Sequence, residues 1–370
     1  MRRFFVLVVL GITFAGLSAA PASAAPSPGF FGVIPIQQME PADFPRAQQA
    51  NVGLVRIPVI WQFIEQSDGA YDFGQLDYYV QQGAEHGIEI LPFMYTSPAW
   101  AVSGCNGLQC QNVPPLDTPQ AREAWQDLLR ELVGRYGPGG TFFQENPGVP
   151  HQPIRQWQCW NEPSSPYYFK NPDAARYADL VKLCHEAITS VDPGAKILLA
   201  GLFGSPQSGG GSNDAKKNVI WKYLGRFYKV PGISDFFDTV AVHPYSPTTR
   251  DLKRVLNKTL QTIGRAGDAG VEILVTEIGA GSAKPKKGEK EKRPLIKGVK
   301  GQARLLKQQY GFLINNQAKY NIGSVSWFSW RDPDHKIGNC KFCNTAGLFK
   351  ANGTPKPAWN ALTALSGGIP

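Results

Sequence analysis

Two carboxylates stand out by the company they keep. Glu162 lies in "IRQWQCWNEPSSPYYF" (154–169), among tryptophans, an amide and a proline, and Glu277 lies in "VEILVTEIGAG" (271–281), at the end of an apolar run. Two carboxyls in one site can divide the labour of a displacement. The ionised one attacks, while its charge raises the pKa of the other and keeps that one protonated as an acid. Arg56 within "VGLVRIPV" (52–59), and His243 and Tyr245 towards the end of "DTVAVHPYS" (238–246), are further polar groups in apolar runs. A single glutamate in such a place is ordinarily a solvated charge or a salt-bridge partner. Chemistry requires a fold that brings the two together.

The elements that must do so recur eight times. Short runs rich in β-branched residues stand at 30–36, 52–59, 88–95, 153–160, 196–202, 238–245, 271–278 and 323–330. Amphipathic patterns separate them, among them "FGQLDYYVQQGAEHG", "REAWQDLLRELVGRYG", "AARYADLVKLCHEAITSV", "LKRVLNKTLQTIGRAG" and "QARLLKQQYGFLINNQAKY", and "KPAWNALTAL" follows the last run. Strands alternating with helices imply a parallel sheet covered on both faces. Eight such units close into a single-domain α/β fold, the (β/α)8 TIM barrel. An open doubly wound sheet would often carry a Gly-rich turn after its first strand. Here "QQMEPADF" stands there, and the Gly-rich "GSPQSGGGSND" (204–214) follows the fifth run and lacks the phosphate-loop Lys-Ser/Thr.

Active sites of such barrels lie at the C-terminal ends of the strands. Polar and aromatic residues gather there: Arg56 with Trp61, Tyr95 leading to Trp100, Asn161 with Glu162, His243 with Tyr245, Glu277, and Trp330. Strand alternation places Glu277 on one face with Val275 and Ile273, and His243 with Ala241 and Tyr245. It also places Glu162 with Trp160 and Gln158, leaving Cys159 towards the helices, where Cys184 on the next helix is its natural partner. Two glutamates at one barrel mouth suit glycoside hydrolysis, in which retaining enzymes hold two carboxyls roughly 5–5.5 Å apart.

The N-terminus reads as a secretory signal over residues 1–24: "MRR", the apolar "FFVLVVLGITFAGL", then "ASA" before Ala25. Its paired arginines also fit twin-arginine export. Residues 25–370 form the expected catalytic domain, with no further segment apolar enough to span a membrane. Net charge is +9, or +7 without Arg2 and Arg3 (9 − 2). Much of it falls in "KPKKGEKEKRPLIKGVK" (284–300), a solvated loop or a contact for an anionic polymer. No nucleic-acid-binding motif accompanies it. Six cysteines in an exported chain point to disulfides. Cys105 with Cys110 and Cys340 with Cys343 are local pairs, which leaves Cys159 with Cys184, although six cysteines allow fifteen connectivities. A zinc site on Cys340 and Cys343 would have to recruit His335, Asp332 or Asp334. No metal or other cofactor is expected.

Taken jointly, these motifs resemble glycoside hydrolase clan A, the (β/α)8 retaining glycosidases. "WNEP" with Glu162 is similar to the clan's acid/base motif at the end of the fourth strand, and "LVTEIG" with Glu277 to its nucleophile motif at the end of the seventh. "LVRIPVIWQFIEQSDGAYDF", "VAVHPYS" and "SWFSWRD" match other clan positions. "TSPAWA" and the closing "KPAWNAL" resemble family 39 and cellulase-like family 5 proteins. The resemblance implies that Glu277 attacks the anomeric carbon and that Glu162 acts as acid, then base. It implies that Asn161 binds the sugar 2-hydroxyl, that Arg56 and Tyr245 orient Glu277, that His243 lines the pocket and that Trp330 forms the sugar's floor. Trp61, Trp100 and Trp327 suit packing or binding equally, as do Tyr167, Tyr168 and Phe169. The expected protein is a secreted monomer hydrolysing β-linked poly- or oligosaccharide. Aromatics spread around the mouth favour endo-cleavage; exo-acting β-xylosidase-like action and a non-catalytic carbohydrate-binding barrel are the alternatives.

Overall fold

The computed structural model describes residues 26–204, 218–285, 295–338 and 340–370. The signal read over 1–24, most of the Gly-rich stretch and residues 286–294 of the Lys-rich stretch lie outside the described residues. Eight parallel strands form the barrel: β1 Phe31–Ile34, β2 Leu54–Ile60, β3 Glu89–Tyr95, β4 Gln156–Cys159, β5 Lys196–Leu199, β6 Thr239–His243, β7 Glu272–Ile278 and β8 Ile322–Phe328. Each pairs with the next, and β8 pairs with β1, so the sheet closes on itself. Outside it run α1 Asp43–Gln49, α2 Gly74–His86, α3 Pro119–Tyr136, α4 Ala174–Val191, α5 Ile220–Phe227, α6 Thr249–Arg265, α7 Val299–Asn315 and α8 Pro357–Ser366. The chain is therefore a single-domain TIM barrel, with all eight expected strands present. Helix α1 is the addition; its "DFPRAQQ" is too short to show a helical period.

Local chemistry starts and stops these helices. Thr118 caps α3 by accepting from the Ala121 N–H, with Pro119 at the first helical position, and Asp173 caps α4 by accepting from Ala175 and Arg176. Gly87, at φ 63°, ends α2 in the left-handed conformation that glycine adopts without steric cost. Helix α6 buries Leu252, Val255, Leu256, Thr259 and Ile263, the stripe that a 3.6-residue period lays against a sheet. No helix among the described residues is long and apolar enough to cross a membrane.

Strand alternation sorts the barrel into an outer and an inner set. Val55, Ile57 and Val59 of β2, Trp157 and Cys159 of β4, and Ile273 and Val275 of β7 join the large core beneath the helices. Inside, Leu54, Leu91, Leu198 and Leu274 form a separate apolar cluster. Two residues further along the same faces stand Arg56, Phe93 and Thr276. The barrel thus changes from a leucine plug to a polar layer within one step of the pleat. That layer is the floor of the site.

The disulfides pair Cys105 with Cys110, Cys159 with Cys184 and Cys340 with Cys343, at Cα separations of 5.2, 6.4 and 5.4 Å. The Cys159–Cys184 bridge ties the end of β4 to α4, with both residues fully buried. It closes a segment 25 residues apart in sequence. Replacing both cysteines by alanine is expected to cost about 3 kcal/mol, chiefly through the entropy restored to the unfolded chain. The urea midpoint measures this; an unchanged midpoint would contradict it.

Candidate active site

The polar layer is built around the side chain of Arg56, which is fully buried inside the barrel. A guanidinium has five donors and stays charged, so burial obliges the surrounding strands to supply acceptors. Three side chains do so. Nε donates to Gln158 Oε1 at 2.6 Å, Nη1 to Glu277 Oε1 at 2.7 Å and Nη2 to Asn161 Oδ1 at 2.9 Å. The guanidinium carbon also stands 3.7 Å from the centre of the Phe93 ring. One residue of β2 thereby sets the positions of side chains from β4, the loop after β4 and β7.

Simple alternation would not deliver these groups. On β7 the inward residues are Leu274 and Thr276, so Glu277 should point out with Val275. The pairing of β7 with β8 slips between Val275 and Ile278, where three residues of β7 answer two of β8. That bulge turns Thr276 and Glu277 inward together and overturns the face expected for Glu277. After β4 the departure is sharper. Trp160 has φ 77° and Glu162 φ 41°, both left-handed. Trp160 therefore turns away from Gln158 and Glu162, against the expected parity. Its ring meets Trp125 of α3 and Phe169, and its indole N–H donates to the Tyr168 carbonyl. Cys159 does face the helices, and the non-glycine left-handed residues bring both Asn161 and Glu162 inward. Such conformations cost about 1–3 kcal/mol each and persist where their surroundings dictate them.

Glu162 and Glu277 are each 8 % exposed, the small opening through which a ligand would reach them. Oxygens of the two carboxyls and a nitrogen of His243 all lie within 4.8 Å of one another. Their partners differ. Glu277 accepts from Arg56 on one oxygen and from the Tyr245 hydroxyl on the other, at 2.7 Å each. Glu162 Oε1 lies 2.7 Å from His243 Nδ1, whose ring continues through Nε2 to Thr276 Oγ1 at 3.1 Å. Burial raises the pKa of both carboxyls. For Glu162 the neighbouring charge of Glu277 adds to the effect and takes it well above the ordinary range. For Glu277, Arg56 and the Tyr245 hydroxyl pull in the opposite direction. Glu277 thus ionises first and Glu162 keeps its proton. Burial, reinforced by Arg56, holds His243 well below its usual pKa and hence neutral.

The same trio has metal-ligand chemistry. However, His243 and Glu162 are already in direct contact at hydrogen-bond distance, and the Arg56 cation neutralises Glu277. The arrangement suits proton transfer and nucleophilic attack.

The expected aromatic residues scatter. Trp330 is 1 % exposed and packs against Phe349 and Trp359, the latter on α8, so its ring has no face to offer a sugar. Trp61 is fully buried between Trp100 and Trp125 and donates to Glu65. Trp327 is likewise buried, with its N–H on the Ala346 carbonyl. Tyr95 does reach the site's edge. Its ring lies 5.9 Å from that of Tyr168, which in turn meets the exposed Tyr167 at 4.8 Å. Phe169 is packed. On the Glu277 side, Tyr245 meets Phe328 at 6.3 Å and Phe342 at 5.3 Å. Phe328 ends β8 facing inward, where Trp330 was expected, and Phe342 comes from the Cys340–Cys343 loop. Gln158, Thr276, Phe93, Phe328 and Phe342 are the site residues that sequence reasoning missed. A glutamine that shares its strand face with Glu162 in simple alternation was the one signal available.

No protein-family model and no curated protein matches the sequence. Solved structures do resemble the fold. A family 39 glycoside hydrolase from Bacteroides cellulosilyticus WH2 superposes with a TM-score of 0.60 at 20 % identity, over 92 % of this chain and 64 % of that one. The chain therefore spans just under two thirds of that enzyme's length. A monomeric β-xylosidase from Caulobacter crescentus CB15 gives 0.60 at 16 % identity, over 93 % and 69 %. The GH53 catalytic domain from Ignisphaera aggregans gives 0.62 at 17 % identity, over 94 % and 98 % of the two chains. At these identities the likeness is one of fold: all three share the (β/α)8 architecture described above.

Proposed function

We propose that the protein is an exported β-glycosidase that hydrolyses its substrate with retention of configuration. The observation carrying this reading is the pair of buried carboxyls, within 4.8 Å and held by unlike partners. A separation of roughly 5–5.5 Å suits attack by one carboxylate and protonation by the other, whereas an inverting pair needs roughly 6.5–9.5 Å to admit a water. Glu277, ionised and held by Arg56 and Tyr245, attacks the anomeric carbon. Glu162, protonated, gives its proton to the departing oxygen. The glycosyl ester on Glu277 removes that residue's charge, so Glu162 ionises more readily and serves as base for the incoming water. Asn161 has its carbonyl oxygen on Arg56, which leaves its amide N–H groups to donate to a sugar hydroxyl.

The substrate is a β-linked poly- or oligosaccharide, with the leaving-group side lying along Tyr95, Tyr168 and Tyr167. Endo-cleavage was suggested by aromatics around the mouth, but Trp61, Trp327 and Trp330 are buried and give it no support. The second reading is exo-action of the β-xylosidase kind. A panel of β-glucans, xylans, mannans and acidic polysaccharides, with product sizing, separates the two.

Glu162→Ala is expected to lower kcat/KM by about 10²–10⁴-fold on substrates with poor leaving groups, and far less on activated aryl glycosides. Equal losses on both would refute the acid/base role. Glu277→Ala is expected to abolish hydrolysis of either kind; full activity would remove the nucleophile, and loss of activity with retained binding rejects the non-catalytic barrel. The pH profile has a sign as well. Activity falls on the acid side as Glu277 takes up a proton and on the alkaline side as Glu162 loses its own. Because Glu162 is raised well above the usual carboxyl range, the alkaline limb should stand above that range and should vanish in Glu162→Gln. An alkaline limb that survives in this variant would assign it to another group.

A further inference from the structure

We propose that Gln158 and Thr276 are positioning residues that fix the tautomer of His243 and thereby choose which oxygen of Glu162 carries the transferable proton. The proposal rests on the glycosidase reading of Glu162. The chain of reasoning begins at Arg56, whose Nε–H can only donate. Its partner on Gln158, at 2.6 Å, must be the amide oxygen. The amide nitrogen then faces the other way, where it donates to the Leu199 carbonyl at 3.0 Å, an acceptor that admits no other assignment. Its second hydrogen is directed at Thr276 Oγ1, at 3.5 Å the longest link. A hydroxyl that accepts on that side turns its single hydrogen elsewhere, and His243 Nε2 stands 3.1 Å away. In the arrangement proposed, Nε2 accepts that hydrogen. A neutral imidazole has one N–H, so it sits on Nδ1.

A second observation points the same way. Nδ1 faces Glu162 Oε1 at 2.7 Å and Glu277 Oε2 at 3.5 Å. A nitrogen lone pair turned to both carboxyls would be repelled once Glu277 is ionised; an N–H is attracted. The ring has no freedom to avoid the choice. A β-carbon on Gly201 would lie 1.9 Å from Nε2 and 2.3 Å from Cδ2, so His243 is pressed against bare backbone there.

With Nδ1–H donating to Oε1, that oxygen of Glu162 is an acceptor, and the acidic proton resides on Oε2. The catalytic proton is then kept off the buried His243 side and on the oxygen free to meet the glycosidic oxygen. After transfer, the same Nδ1–H bond stabilises the carboxylate that must act as base. No proton passes through His243; Oε2 gives one to the leaving group and takes one from water. Neither residue touches substrate in this account. The effect of Thr276 runs through His243, whereas Gln158 also holds Arg56.

The test is the tautomer itself, read by NMR on full-length protein with 15N-labelled histidine rings, with the His243 signals assigned by their loss in His243→Asn. The wild type should be protonated at Nδ1, and so should Thr276→Ser, which keeps the hydroxyl. Thr276→Val, which removes it, should lower the share protonated at Nδ1, the part that the two carboxyls favour remaining. Protonation at Nε2 in the wild type, or an unchanged ring in Thr276→Val, would overturn the proposal. This readout needs no turnover, so a protein inactive on every glycoside would remove the glycosidase reading without touching the tautomer result.

Kinetics supply the second arm. Thr276→Val should lose about 10–100-fold in kcat/KM on poor leaving groups, a part of the full acid-catalytic effect, and little on activated ones. Its alkaline limb should move to higher pH, because Glu162 loses a donor to its charged form, and Thr276→Ser should restore both. The other groups facing Glu162, namely Arg56, Glu277, Tyr245 and Tyr168, are unaltered by the change. A uniform loss on all substrates with no change in the limb would assign Thr276 to packing and overturn the proposal. If the valine variant does not fold, Thr276→Ala removes the same hydroxyl and is read identically.

Discussion

A cation that cannot be discharged sits in the interior of this barrel, and the upper half of the fold is arranged to satisfy it. Arg56 is fully buried, above a plug of four leucines. Leaving one partner of such a charge unpaired would cost roughly 3–5 kcal/mol. The three acceptors that prevent this come from β4, the loop after β4, and β7, and they include the carboxylate read as the nucleophile. The same contact that stabilises the fold therefore lowers the cost of ionising Glu277. Glu162, which accepts nothing from Arg56 directly, is left with the higher pKa. The difference in ionisation between the carboxyls follows from where one guanidinium was placed.

Reaching that arrangement requires the backbone to leave the ideal pleat twice. The slip in β7 turns two consecutive residues inward, and the left-handed Trp160 and Glu162 do the same after β4. Regular strands would present one polar group per two residues, too sparse to surround a guanidinium and still leave a carboxyl for substrate. The strain is contained by the layer behind it. Trp160 is wedged between Trp125 and Phe169, and Cys159 beside it is tied to Cys184. Packing outside the barrel thus holds a geometry inside it.

Much of this was legible from residue types. Eight apolar runs announced the barrel, and Cys159 with Cys184 followed from alternation along a strand that stays regular up to that residue. The positions of Glu162 and Glu277 at the ends of the fourth and seventh strands located the carboxyl pair. What alternation could not show was where alternation stops: parity misassigned Trp160 and the face of Glu277, because a bulge or a left-handed turn leaves no mark on hydrophobic period. Tryptophan type was equally silent. An indole serves a sugar face or a core with the same chemistry, and only packing revealed that Trp61 and Trp330 belong to the core while Phe328 stands at the site. Thr276 was hidden by its neighbour; its role exists only through the direction of a hydrogen bond.

The central claim is that Glu277 forms a covalent bond to the sugar. The most direct measurement is to treat the protein with a panel of 2-deoxy-2-fluoro-β-glycosides bearing dinitrophenyl leaving groups, and to map the modified peptide by mass spectrometry. The account predicts accumulation of one fluoroglycosyl group per chain, attached at Glu277 and absent in Glu277→Ala. Turnover of natural substrate with the opposite anomer as first product, or a label carried on Glu162, would contradict it.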